Sequence, residues 1–370
     1  MAHKADASFF DHKRVWSKRK DQILSYYLDP YLAKIRQRRN PVLLVDGFAG
    51  PGKFGDGEIG SPLLMCAKAQ SALAITGPPI GVLCIESDPA LFSKLEQNLS
   101  GFPFANAISG EFLAQVDRIV SAAKTSSVFL YMDPFVASDV EWEALEQIAR
   151  LIGTANASVE LLLNFNTPSF VRWGLAALSR PVPDIDAEVE DPEQADAMTP
   201  APPALERLSR VVGGPWWREI LDANRSFPEM LRDVADGFGA KLRTQFSEVC
   251  WLAIKKLETH RVPKYDMFFG SRHPDALELM NDAMVKARGV SDFQIDLFAV
   301  DDLDQAILRL TADWIKRGAL ILAVIRESFC RFLRKDIRGR VEALLKDGSL
   351  ESETGKPRIN DDVRVRCKGA

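Results

Sequence analysis

The stretch "VLLVDGFAGPGKFGDG", residues 42–57, decides how the chain folds, because an apolar run ends there in an acid and passes straight into glycines. Gly47, Gly52 and Lys53 fit the G-x-x-x-x-G-K spacing of a triphosphate-binding loop. That loop needs Ser or Thr directly after its lysine to ligate magnesium, and this chain has Phe54. Asp46, at the tip of the run, would also set a negative charge against the phosphates. The other reading is a strand followed by a sharp turn. Gly47, Phe48, Gly50 and Gly52 would bring the backbone close to a cationic ligand, with Asp46 as counter-charge. S-adenosylmethionine, with a sulfonium, an amino group and no phosphate, fits that description.

Further along, "GVLCIE" (81–86), "VFLYMD" (128–133) and "VELLLNF" (159–165) are apolar runs of the length of buried parallel strands, with helical stretches such as 89–99 and 139–152 between them. The alternation predicts an α/β fold with a doubly wound, mostly parallel, Rossmann-like sheet. "VCWLAIKK" (249–256) and "KYDMFFGS" (264–271) sit eight residues apart, as a hairpin would. A parallel sheet closed by one antiparallel strand is the class I methyltransferase variant of that architecture. Residues 9–38 read as helix, with Trp16, Ile23, Tyr26, Tyr27, Tyr31 and Ile35 at helical spacing, and Pro30 marks a break or a second start. The acidic, proline-rich stretch 180–204 reads as a surface insertion or a disordered loop, within a wider insertion at about 172–225.

The other strand ends carry acids as well. Glu86, followed by Asp88, is placed to accept hydrogen bonds from two ribose hydroxyls. Glu111, beside Gly110, is placed to accept from the adenine amino group. Acids at the tips of three successive strands favour S-adenosylmethionine over a generic glycine turn. "YMDPF" then offers Asp133, Pro134 and Phe135 as catalytic candidates. The carboxylate and the proline carbonyl would accept the two hydrogens of a target amine, and the aromatic ring would stack on a base taken out of its duplex.

Hydrophobic content of 46% and charged content of 26% are those of a globular protein, and no apolar run reaches membrane-spanning length. The N-terminus lacks the apolar core of a signal peptide, so a cytoplasmic location is expected. Five scattered cysteines and four histidines point to no disulfide framework and no metal site. The net charge of −4 is uneven. Residues 1–39 carry +6 and residues 331–370 carry +4, as a polyanion-binding protein or simply solvated helix surfaces would. Helices across 303–348, followed by two short strands around a Gly-Lys-Pro turn, describe a winged helix. Arg334, Lys335, Arg338 and Arg340 would load its recognition helix, and Lys356 and Arg358 its wing. Dimerisation or packing is the alternative use of such a module.

"VWSKRKDQILSYYLDPYL", "VDGFAGPG", "GSPLL" (60–64), "IESD", "MDPF", "LLNFN" (162–166) and "YDMFFGSRHPDALELM" (265–280) together resemble the three-Cys-motif partner protein (TcmP) family. The family is similar to class I methyltransferases, and it commonly has glycine after "DPF", where this chain has Val136. The resemblance implies S-adenosylmethionine as cofactor and pairing with a cysteine-motif protein of radical-SAM type. The expected organisation is a helical cap at 1–40, a methyltransferase-like domain at 41–290 and a winged helix at 300–370. The N-terminal helix around Trp16 and Lys18 is expected to cap the cofactor. Two functions compete: a methyltransferase acting on a nucleic-acid base amine, and a catalytically silent cofactor-binding partner whose winged helix binds DNA or protein.

Overall fold

The structure is a computed structural model that describes residues 10–134, 139–150, 158–183, 204–256, 260–288 and 297–368. The chain divides into two units, Met1–His273 and Pro274–Ala370.

In the first unit, strands β1 (Val42–Asp46), β2 (Ile80–Glu86), β3 (Ala105–Ser109), β4 (Ser127–Met132), β5 (Val159–Phe165), β6 (Glu248–Ile254) and β7 (Tyr265–Ser271) form one sheet in the order β3-β2-β1-β4-β5-β7-β6. The pairs from β3 to β5 are parallel, while β7 runs antiparallel to both β5 and β6. This is the expected α/β fold, Rossmann-like and mostly parallel with one reversed strand. β4 and β5 are buried along their whole length, as strands covered on both faces must be. The helices are α1 (Val15–Ile35), α2 (Ser61–Leu73), α3 (Pro89–Leu99), α4 (Val116–Ala123), α5 (Trp142–Arg150), α6 (Thr167–Ala177), α7 (Leu205–Val212), α8 (Trp217–Asp222) and α9 (Phe227–Leu242).

Pro30 does not break α1, which runs through it. The reason is the shared face: Ile23, Leu24, Tyr27 and Leu28 before the proline, and Tyr31, Leu32 and Ile35 after it, are all buried. The Tyr27 ring stacks on Phe129 of β4 and meets Phe269 of β7 edge-on. Burying two such rings contributes several kcal/mol at about 25 cal/mol per Å², enough to offset the one backbone bond a proline removes. Residues 15–35 are therefore one layer of the sheet's core. Within the stretch expected to be an insertion, α8 joins the core, its Trp217 packed on Phe170 of α6 at 5.6 Å. Residues 184–203 lie outside the described set.

The second unit contains α10 (Pro274–Ala287), α11 (Leu297–Leu310), β8 (Ile315–Lys316), α12 (Arg317–Glu327), α13 (Arg334–Lys346), β9 (Leu350–Ser352) and β10 (Arg364–Cys367). Its strands form a small antiparallel sheet in the order β8-β10-β9. α10 lies on the C-terminal side of the division, earlier than the boundary near 290 that the sequence suggests. Its polar face explains this. Asn281 donates to the Phe332 carbonyl at 2.8 Å and accepts from the Cys330 N–H, while Asp282 and Glu278 hold Arg334.

Candidate active site

Sheet order places β1 between β2 and β4, so the chain leaves β1 and β4 towards opposite faces and a crevice opens at their C-terminal ends. Asp46 closes β1 there and is fully buried. Its Oδ1 accepts from the Phe48 N–H at 3.2 Å, whereas Oδ2 has no hydrogen bond of good geometry among the described residues. Burial pushes its carboxyl up to about 7, against the pull of the nearby Ser61 hydroxyl and the Phe48 N–H.

The turn after Asp46 needs its glycines. A Cβ on Gly47 would lie 2.7 Å from the Met132 sulfur, and Gly50 adopts φ +63° with the Phe10 ring 2.9 Å from where a Cβ would stand. The Gly50 N–H donates to Glu86 Oε2 at 2.8 Å, and Asp88 N–H donates to Oε1 at 2.7 Å. The loop is thus tied to the acid of the next strand. Burial raises the Glu86 carboxyl and those two N–H groups hold it down. α2 begins only at Ser61, and Lys53 is exposed, so the Gly52-Lys53 pair is not at a helix N-terminus as a phosphate loop requires.

Asp88 is the N-cap of α3, its Oδ1 accepting from Ala90 and Leu91. Glu111 is exposed beside Gly110. Phe48 is half-buried against Phe112, at 5.8 Å. Pro134 is buried, and Phe135 lies outside the described residues.

Asp133 follows β4 and is heavily engaged. Oδ2 takes Lys20 Nζ of α1 at 2.5 Å and the Tyr131 hydroxyl at 3.4 Å; Oδ1 takes Asn164 Nδ2 of β5 at 2.6 Å. Lys20 lies 5.2 Å from the centre of the Tyr265 ring. Asn164 Oδ1 is buried with no hydrogen-bond partner among the described residues. Asp46, Asp133 and Asn164 therefore stand on or just after three neighbouring strands, and two of them keep a buried oxygen without a hydrogen bond of good geometry among the described residues. The sequence reading did not single out Lys20 or Asn164. "LLNFN" marked the stretch around the latter, but no local spacing ties either residue to position 133.

The N-terminal segment reaches the glycine loop and the residues just after it through Phe10, Lys13 and Lys18, so of the two residues singled out in the sequence Lys18 takes part and Trp16 does not. Gly55 N–H donates to the Phe10 carbonyl at 2.8 Å, Lys13 donates to the Ile59 carbonyl and pairs with Asp21, and Lys18 pairs with Glu58 at 3.1 Å. Trp16 instead meets Lys256 and Lys264, and its carbonyl accepts from Tyr265. A surface cavity of about 560 Å³ between α5, α7 and α8, lined by Trp142, Arg210, Gly213 and Arg218, includes none of the strand-end acids. Among the described residues no cluster of His, Cys, Asp and Glu could hold a metal, and no helix is long and apolar enough to cross a membrane.

In the second unit three of the expected nucleic-acid arginines are held by carboxylates. Arg334 is bound by Asp282 and Glu278, Arg338 by Asp361 and Arg340 by Asp304. Lys335, Lys356 and Arg358 are exposed. Acids supplied by other elements, which no local pattern on α13 announces, account for the difference.

No protein-family model matches the chain, and no curated protein matches it. Solved structures with a similar fold include human methyltransferase-like protein 13 in complex with SAH (12% identity, 76% of this chain and 99% of that one, TM-score 0.34). PKMT2 from Rickettsia typhi (10%, 86% and 73%, 0.31) and Aeropyrum pernix fibrillarin with bound S-adenosyl-L-methionine (9%, 69% and 76%, 0.28) are two others. At such identities and scores they carry no argument about what this chain does.

Proposed function

We propose that the chain is an S-adenosylmethionine-dependent methyltransferase that acts on an exocyclic amine of a nucleic-acid base. The observation that carries this reading is the buried Asp46 Oδ2, which has no hydrogen bond of good geometry among the described residues, at the end of β1 and beside a glycine turn pinned to Glu86. A buried acceptor of this kind suits a cationic donor, and the acids Asp46, Glu86 and Asp133 disfavour a triphosphate. Asp46 and the turn at Gly47, Phe48, Gly50 and Gly52 would hold the methionine end, Glu86 the ribose, and Glu111 the adenine edge. The cofactor supplies an activated methyl group. Asp133 would orient the target N–H and take its proton, aided chiefly by positioning.

The second unit is read as a winged helix, with Lys335, Lys356 and Arg358 as its phosphate contacts; Arg334, Arg338 and Arg340 serve its internal packing. The resemblance to three-Cys-motif partner proteins, and with it a radical-SAM-type partner, rests on the quoted motifs alone. The Lys20–Asp133 pair favours a second reading, a silent cofactor sensor, because it occupies the carboxylate that catalysis needs.

Calorimetric titration with S-adenosylmethionine, S-adenosylhomocysteine and Mg-ATP tests the first step. Micromolar binding of the first two is expected, and binding of Mg-ATP alone would overturn the proposal. Labelled methyl transfer to DNA and RNA then separates enzyme from sensor.

A further inference from the structure

We infer that the outer face of the small sheet in the second unit is a platform for unpaired nucleic acid: Trp314 stacks on a base, and Lys316, Arg364 and Arg366 hold phosphates beside it. The inference rests on the nucleic-acid part of the reading above, and it moves the main contact from α13 to the sheet.

The register of the three strands puts these side chains together. Arg364 of β10 lies opposite Lys316 and Val365 opposite Ile315, so Arg366 falls opposite Trp314, just before β8. On the other side Arg366 faces Glu351 of β9. Successive residues of a strand point to opposite faces. Val365, Leu350 and Ser352 are buried on the inner face, and Arg364, Arg366 and Glu351 are therefore on the outer one. Two contacts agree with this: the Arg366 guanidinium lies 4.8 Å from the centre of the Trp314 ring, and its Nε pairs with Glu351.

Trp314 is 39% exposed, the only large apolar side chain left so among the described residues of this unit. An indole kept in water beside cations suits a ligand that brings both a flat ring and negative charge. Every base has such a ring, but pairing and stacking in a duplex hide it, so the face fits a single strand. Arg366 holds the indole by cation–π contact and leaves the rest of the ring open. Two acids temper the charge. Asp362 pairs with Lys316, and Glu351 with Arg366, but all four side chains are at least a third exposed. Exposed pairs of this kind contribute little and exchange readily for phosphate. Arg364 is exposed, as is Lys368 just past the strand. On α13, by contrast, Arg334 is gripped by two carboxylates that are both mostly buried.

The test uses full-length protein and a short labelled DNA strand, the RNA of the same sequence, and the DNA duplex, read by anisotropy at several salt concentrations. Trp314→Leu should weaken the single strands by about tenfold and leave the duplex within about twofold. Trp314→Phe, which keeps a ring, should restore most of the loss. Arg364→Ala should reduce the single-strand salt slope by about 0.7. A Trp314→Leu protein that melts like the unaltered one and binds single strands as well as before overturns the inference, and so does one that loses strand and duplex alike. Self-association lost in Trp314→Leu, with no strand bound by the unaltered protein, assigns the face to a second copy and overturns it too.

Should Trp314→Leu not fold, charge reversal decides. Arg364→Glu should weaken the single strand more than Lys335→Glu on α13 does, and the opposite order overturns the platform. Binding of duplex without single strand sinks the platform and spares the nucleic-acid reading. Failure to bind S-adenosylhomocysteine falls on the methyltransferase reading alone, because strand binding is measured without the cofactor.

Discussion

Glu160 and Asp46 are two acids buried in one sheet, both with carboxyls pushed up to about 7 by loss of water, and their surroundings differ in one respect. Glu160, near the start of β5, accepts a hydrogen bond from Tyr27 of α1 and has the Ser271 hydroxyl at the end of β7 nearby. Asp46, at the end of β1, accepts from the Phe48 N–H and has the Ser61 hydroxyl nearby, but its Oδ2 has no hydrogen bond of good geometry among the described residues. Equal burial and equal titration thus conceal different roles. An acid whose lone pairs the chain itself occupies fastens helix to sheet, and one left half-occupied is available to bind something else. The number of satisfied oxygens, more than the shift in acidity, distinguishes the two.

The strongest way to break this comparison is at Asp133. Asp133→Ala should lower methyl transfer by about 100-fold or more while S-adenosylhomocysteine affinity stays within about threefold. Equal turnover would remove Asp133 from the transfer step, and no turnover in either protein would place it among sensors. Next, Glu160→Ala strands two core hydroxyls and should cost about 2–4 kcal/mol in urea unfolding. Asp46→Asn should cost under about 1 kcal/mol there, yet weaken cofactor binding by roughly tenfold or more. If Asp46→Asn proved the more destabilising, the contrast would be wrong.

Acidity supplies a further test. Both carboxyls titrate higher in the folded protein than in the unfolded chain, so between about pH 4 and 7 the folded state holds more protons and stability falls as pH rises. Glu160→Gln should flatten that slope. Cofactor binding should run the other way, tightening as pH rises through about 7 and Asp46 ionises, with proton release detectable by calorimetry in two buffers. Gly50→Ala, at φ +63°, should cost about 1–2 kcal/mol and loosen the cofactor with it. The smallest effect is expected at Lys335: Lys335→Ala should weaken nucleic-acid binding a few-fold and reduce the salt slope by about 1.

Most of the sheet was legible because parallel strands buried on both faces read as unbroken apolar runs. β3 was the least legible as a strand: "ANAIS" lies on the edge, is partly exposed and has no such run. The acids at strand ends were legible because a strand's end and its side chain are local facts. Partners were not. Lys20 and Asn164 meet Asp133 across 113 and 31 residues of chain, and the acids that occupy Arg338 and Arg340 come from positions 361 and 304. A basic helix shows its charge in the sequence but not whether that charge is already neutralised. Pro30 was misread for a related reason, since propensity counts the lost N–H and tertiary burial decides the outcome.

The pairing of β1 with β4 also bears on synthesis. Asp46 lies beside Tyr131, so the crevice at the ends of these strands is walled by a contact far apart along the chain, whereas β6 and β7 form a nearby hairpin. A nascent chain that has released only its first hundred residues from the ribosome holds the glycine turn and the acids of β1 and β2 but has no wall opposite them. If the cofactor reading holds, binding competence cannot precede the emergence of β4, and a stall before β4 leaves a nascent chain that the cofactor cannot stabilise.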